Sequence, residues 1–140
     1  MIREFEYKDK TAIQRLLGIL TGREMSESDL RNRLDFIAFS SIDSLYVYDV
    51  DGSVIGLLGF RIRENIEENS RYGEISVLVV DTNYQKQGIG KQLIEFAEQL
   101  AQKSNCKGTW LVSGFGREEK AHQFYKTNGY VSTGYRFLKQ

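Results

Sequence analysis

The segment Val79-Val80-Asp81-Thr82-Asn83-Tyr84-Gln85-Lys86-Gln87-Gly88-Ile89-Gly90-Lys91 constrains the fold more than any other. An apolar strand ends, a polar turn with closely spaced Gly88 and Gly90 follows, and an amphipathic helix begins at once. That helix is expected from Gly88 to about Ser104, with Ile89, Leu93, Phe96, Ala97 and Leu100 as its stripe. Free backbone N–H groups and the helix dipole make such a helix start an anion site. Glycine lets a pyrophosphate approach the backbone closely, and Lys86 and Lys91 add charge at the rim. A tight strand-to-helix turn can also use glycine for steric reasons alone, so the two glycines leave both readings open. A P-loop is excluded, because Gln85 stands where its first glycine belongs and Gln92 follows Lys91. A dinucleotide fingerprint is excluded by Leu93 at the place of its third glycine.

The rest of the chain alternates strands and helices. Ile2 to Glu6 reads as a half-buried strand. Asp9 is expected to cap a helix with the stripe Ile13, Leu16, Leu17 and Leu20, which Gly22 ends. Ser26 and Asp29 resemble a capping box opening a second helix with Leu30, Leu34, Ile37 and Ala38 on one side. Leu45 to Val50 and Val54 to Arg63 read as strands joined by an Asp51-Gly52 hairpin turn. Asn65 to Arg71 is a polar loop and Gly73 to Val80 a strand. After the long helix come a strand at Gly108 to Ser113, a helix at Arg117 to Asn128 closed by Gly129, and a last strand at Tyr130 to Leu138. The absence of repeats and linkers predicts one domain over residues 1–140.

Composition narrows the function classes. Hydrophobic residues make up 41% and charged residues 27%, as in an ordinary globular domain. Lys plus Arg and Asp plus Glu are 19 each, so the bulk charge signal of a nucleic-acid binder is missing. No apolar run approaches the roughly 18 to 20 residues of a membrane span, and the polar N-terminus does not read as a signal peptide. Cys106 has no partner for a disulfide, which fits a reducing cytoplasm. One His and one Cys are too few for an ordinary zinc site, so no metal is expected.

Gln85-Lys86-Gln87-Gly88-Ile89-Gly90 resembles the Q/R-x-x-G-x-G/A motif by which the GNAT superfamily of N-acetyltransferases holds the pyrophosphate of acetyl-CoA. Many members carry Pro near the strand end and Gly at the place of Lys86; this chain has Asp81-Thr82 and Lys86. Ala121-His122-Gln123-Phe124-Tyr125-Lys126-Thr127-Asn128-Gly129-Tyr130 resembles the second signature, A-x-x-F-Y-x-x-x-G-F/Y. Both motifs occur in the family's order and spacing.

The resemblance implies an α/β (α+β) fold, with a mixed central sheet of about six to seven strands and about four flanking helices. It implies direct transfer of the acetyl group from acetyl-CoA to a primary amine, with a possible homodimer through the last strand. Acetyl-CoA binding falls to Leu78, Val79, Val80, Gln85, Lys86, Gln87, Gly88, Ile89, Gly90, Lys91 and, on the pantetheine arm, Ser113. Departure of a CoA thiolate calls for a proton, and the resemblance assigns Tyr125 as general acid, since a phenol can supply it. Tyr125 and Phe124 also fit as two aromatics packed on a helix face.

The incoming ammonium must lose a proton, for which Glu74 is the candidate base. Strict alternation places Glu74, Ser76, Leu78 and Val80 on one face and Ile75, Val77 and Val79 on the other. Glu74 reads equally as an exposed glutamate at a strand start. A backbone N–H around Leu78 to Val80 is expected to hold the developing oxyanion. His122 reads better as a helix-face histidine than as a base. Arg117 is free to pair with Glu118 or a phosphate, and Gly114-Phe115-Gly116 makes the connection before it flexible. Cys106 lacks a partner that would make it a nucleophile. Three functions are compatible: an amine acetyltransferase, a non-catalytic CoA-binding module, and an acetylating toxin acting on charged tRNA. The neutral net charge disfavours the last.

Overall fold

The computed structural model describes residues 1–113 and 118–140. Strands β1 (Ile2–Glu4), β2 (Asp43–Val50), β3 (Ser53–Glu64), β4 (Arg71–Val80) and β5 (Thr109–Trp110) form one mixed sheet in sequence order. β1 to β4 pair antiparallel and β4 to β5 parallel. Helices α1 (Lys10–Thr21) and α2 (Glu27–Ala38) precede β2, and α3 (Ile89–Lys103) crosses from β4 to β5. A π-helical turn, Glu118–His122, runs into α4 (Gln123–Thr127).

Each sheet face has its own core. Ile13 and Leu16 of α1, and Leu30 and Leu34 of α2, pack on Leu45, Val47, Leu57 and Val79. Ile89, Leu93, Ile94, Ala97 and Ala101 of α3 pack on Ile55, Leu58, Phe60 and Ile75 from the other side. Fully burying a side chain such as Leu93 contributes about 1.5–3 kcal/mol.

Local signals set the boundaries. Gly22 ends α1 at φ +74°, its N–H donating to Gly18 O at 2.8 Å. Ser26 Oγ accepts from the Asp29 N–H and opens α2. Asp51 and Gly52 turn the β2–β3 hairpin with φ of +50° and +90°. Asp9 differs from expectation: its side chain makes no cap bond to α1. Its carboxylate accepts from the Glu6 N–H and from both terminal nitrogens of Arg3. The Arg3 cation was the stronger partner within reach.

Two expected strands are altered. The strand expected over Gly108 to Ser113 is confined to Thr109–Trp110, and the described sheet has five strands rather than six or seven. Residues 131–140 are exposed and carry no regular structure, with Val131, Tyr135, Phe137 and Leu138 in solvent. The two-residue β5 offers too little edge for that alternating tail to pair along.

Candidate active site

β4 and β5 separate after only two rungs, Gly73 opposite Thr109 and Glu74 opposite Trp110. Beyond them no described strand pairs with that edge of β4. A β-bulge at Ser76 sets what this edge presents, since Gly59 pairs with Val77 but Phe60 pairs with Ile75. Gly59 makes the bulge possible: a Cβ there would lie 2.5 Å from Ser76 Oγ and 3.0 Å from Val77 Cβ. An isolated glycine inside a strand pattern is the sequence signal for such a bulge, one that period-two counting along β4 does not use.

The bulge corrects the expected faces. Val77 and Val79 pack with the α1–α2 core, while Ile75, Leu78 and Val80 pack with the α3 core. Glu74 therefore shares its face with Val77 and Val79, not with Leu78 and Val80. The hydrogen-bond parity shifts in the same way. Gly73 donates outward to Gly108 O, whereas Asp81 donates inward to Ile55 O on β3. Bonded pairs alternate in an antiparallel ladder, so Val77 and Val79 direct their N–H groups at β3. Leu78 and Val80 direct theirs at the open edge. Gln85 Nε2 donates to Val80 O at 3.1 Å and closes the end of that edge.

The turn after β4 is tightly wound. Asp81 accepts from the Asn83 N–H at 3.0 Å and starts a 3-10 turn, Thr82–Tyr84. Arg15 of α1 pairs with the same carboxylate and also donates to Val54 O at 3.1 Å. The Asn83 bond, aided by Arg15, holds the Asp81 carboxyl below the usual value despite its burial. Lys86 and Gly88 are left-handed, with φ of +63° and +82°. Lys86 thus occupies a conformation that glycine adopts more easily, at a cost of about 1–2 kcal/mol. Gln85, Lys86, Gln87, Gly88 and Lys91 are exposed and Ile89 is buried. The α3 first turn has no side-chain cap and no acidic residue, which leaves its N–H groups and dipole directed at solvent.

Gly90 is small for another reason. A Cβ on it would stand 3.0 Å from Cζ of Phe124. The ring of Tyr125 meets Phe124 edge-on at 5.5 Å and Tyr130 at 6.4 Å, and all three pack against the α3 core. Tyr130 O–H donates to Glu98 Oε2 at 3.3 Å and lies 2.7 Å from Thr109 Oγ1. Burial, with Glu98 adding, pushes its phenol up. This ties the end of α4 to α3 and β5. His122 is half-buried in the turn leading into α4. Ser113 Oγ is buried without a hydrogen-bond partner among the described residues. Gly114, Phe115, Gly116 and Arg117 lie outside the described residues. Burial pushes the Cys106 thiol up, which disfavours the thiolate a nucleophile needs.

Glu74 sits on the last rung before the strands part, flanked by Arg61 and Arg63. Its Oε1 lies 3.7 Å from Arg61 Nη1 and 3.7 Å from Arg63 Nε, ion pairs beyond hydrogen-bond range, and is buried without a hydrogen-bond partner among the described residues. Of the two sequence readings, the exposed one does not hold, for the Glu74 side chain is only 14% exposed. Spacing gave no hint of these arginines, because the contact depends on the β3–β4 register.

The Acetyltransferase (GNAT) family model matches residues 12–130. An aminoalkylphosphonate N-acetyltransferase of Salmonella typhimurium (strain LT2) is 30% identical over 119 residues, covering 79% of this chain and 77% of that protein. The structure of a GNAT family acetyltransferase from Staphylococcus aureus (USA300_TCH1516) superposes with a TM-score of 0.84 at 30% identity, covering 100% of this chain and 97% of that one. An aminoglycoside N-acetyltransferase in complex with CoA shares the fold, with a TM-score of 0.87 at 15% identity over 100% of this chain and 93% of that one. Among the described residues no helix is long and apolar enough to cross a membrane. With the motifs, the parted strands and these relatives in agreement, the chain belongs to the GNAT acetyltransferase family.

Proposed function

We propose that the protein transfers the acetyl group of acetyl-CoA directly to a primary amine of a small molecule or peptide. The observation that carries this reading is the open edge of β4 between the Glu74–Trp110 rung and the uncapped start of α3. From Glu74 to Val80 a strand spans about 20 Å, enough to lay an extended pantetheine arm alongside it. Gly88, Ile89, Gly90 and Lys91 would take the pyrophosphate on backbone N–H groups, with Lys86 and Lys91 at the rim. The unpartnered Ser113 Oγ suits a polar contact with the arm.

The chemistry divides between the two sheet faces. Glu74 faces the α1–α2 side and Tyr125 packs on the α3 side. Glu74 takes a proton from the acceptor ammonium, and the freed nitrogen attacks the acyl carbon. The carbon–sulfur bond breaks, Tyr125 gives its proton to the departing thiolate, and the second proton leaving the acylated nitrogen restores the phenol. The outward N–H groups of Leu78 and Val80 meet the negative charge developing on the acyl oxygen.

Replacing Tyr125 with Phe tests the reading. Turnover should fall about 100-fold or more while acetyl-CoA affinity changes little, because a general acid acts only in the transition state. Unchanged turnover would leave Tyr125 as a packing residue and remove the acid from the scheme.

A further inference from the structure

The rung at which β4 and β5 part carries more charge than proton transfer requires. Asp43, Arg61, Glu74 and Trp110 stand in one row across β2, β3, β4 and β5. Arg61 is committed, its Nε donating to Asp43 Oδ1 at 2.7 Å. Glu74 is not. A buried carboxylate oxygen without a donor is costly, and guanidiniums that stop at 3.7 Å leave that cost standing.

Arg63 is the complementary half. Its side chain is 51% exposed, and its guanidinium lies over the Trp110 ring at 5.8 Å. A cation–π contact of this kind does not consume the N–H donors of the guanidinium. Among the described residues no hydrogen bond from Arg63 is made. The rung where β4 and β5 part therefore holds a carboxylate oxygen lacking a hydrogen-bond donor beside a guanidinium with donors to spare.

We propose that Glu74 and Arg63 together recognise a zwitterionic acceptor, a small primary amine carrying an oxyanion group (phosphonate, phosphate or carboxylate) a short spacer away. The ammonium pairs with the Glu74 carboxylate, whose side chain is 14% exposed, and the oxyanion takes the free donors of Arg63. Each member of a long, unsatisfied ion pair thereby gains a hydrogen-bonded partner of opposite charge. A second ammonium in place of the oxyanion would face the Arg63 guanidinium, so polyamines are disfavoured. This rests on the acetyltransferase reading and names the substrate class for its site.

The test begins with calorimetry of acetyl-CoA, whose failure to bind would remove the acetyltransferase reading and this one with it. The protein saturated with acetyl-CoA is then offered 2-aminoethylphosphonate, β-alanine, ethanolamine or ethylenediamine, and released CoA thiol is followed. The kcat/KM of the better anionic amine should exceed that of ethanolamine by at least about tenfold, the size of one charge-assisted contact, with ethylenediamine lowest. Arg63→Gln should bring that ratio within about threefold of unity, and Arg63→Lys should restore part of it, since Lys keeps the charge but loses the fork. The ratio is independent of the folded fraction, so partial unfolding of a variant does not mask the result. Acetyl-CoA binding with no turnover of either anionic amine, no preference in the wild type, or a preference that survives Arg63→Gln would each overturn the proposal.

Discussion

The ring of Phe124 lies against the backbone of Gly90, so that a methyl group on Gly90 would stand 3.0 Å from Cζ of the ring. The two signature motifs therefore touch: the helix that carries Tyr125 is seated on the first turn of α3. Gly90→Ala must push the ring and α4 aside. It should cost about 1–3 kcal/mol, as overpacking does. Combined with Phe124→Ala, which removes the obstacle, it should cost less than the two changes added separately, by about 0.5–3 kcal/mol. Urea denaturation of both single variants and the double variant reads the coupling; strict additivity would contradict the contact.

Asp81 joins the turn before α3 to α1, and its effect should depend on pH. Its carboxyl is held below the ordinary value, first by the Asn83 N–H and then by Arg15, against burial. A depressed folded-state value contributes stability above the unfolded value and loses it as pH falls through the folded one. Asp81→Asn keeps an oxygen to cap the 3-10 turn and removes the charge. At neutral pH it should cost about 0.5 kcal/mol, because the Arg15 side chain is half exposed. Its acid denaturation should be shallower than that of the wild type. Asp81→Ala loses the cap as well and should cost about 1–2 kcal/mol. Melting temperatures across the acid range check both; parallel acid limbs for wild type and Asp81→Asn would contradict the linkage.

Much of this architecture is legible in local chemistry. Gly22, Ser26 and the Asp51-Gly52 turn act through their immediate neighbours, and each does what its residue type predicts. The glycine turn before α3 is legible too, although its two glycines serve different ends: Gly88 adopts a positive φ and Gly90 makes room for Phe124. What escaped depends on the pairing of distant segments. Period-two counting fails along β4 because Ser76 bulges opposite Gly59, which reverses the side chains beyond it. Arg61 and Arg63 reach Glu74 only through the β3–β4 register, and Arg15 reaches Asp81 only once α1 lies on the sheet. The tail over 131–140 alternates as a strand would, but alternation alone forms no ladder.

Glu74→Gln separates proton transfer from structure. Its stability should change by less than about 1 kcal/mol in either direction, since the arginine contacts are long and partly exposed and the carboxylate is enclosed. Turnover of an amine should drop about 100-fold or more near neutral pH. The deficit should shrink as pH rises toward the pKa of the amine, because solvent then delivers the acceptor already deprotonated. A pH profile of kcat/KM for both proteins decides it. A deficit that stays constant with pH would assign Glu74 to positioning alone.

In the proposed complex, acetyl-CoA lies along the open edge of β4 with its pyrophosphate at the Gly88–Gly90 turn. Calorimetry of acetyl-CoA against the wild type and Gly88→Glu, each checked for folding by thermal melting, tests it most directly. Binding in the micromolar range, about −8 kcal/mol, is predicted for the wild type. The variant should lose it, because its carboxylate would face the pyrophosphate. Absence of binding by the folded wild type, or equal binding by both proteins, would contradict the account.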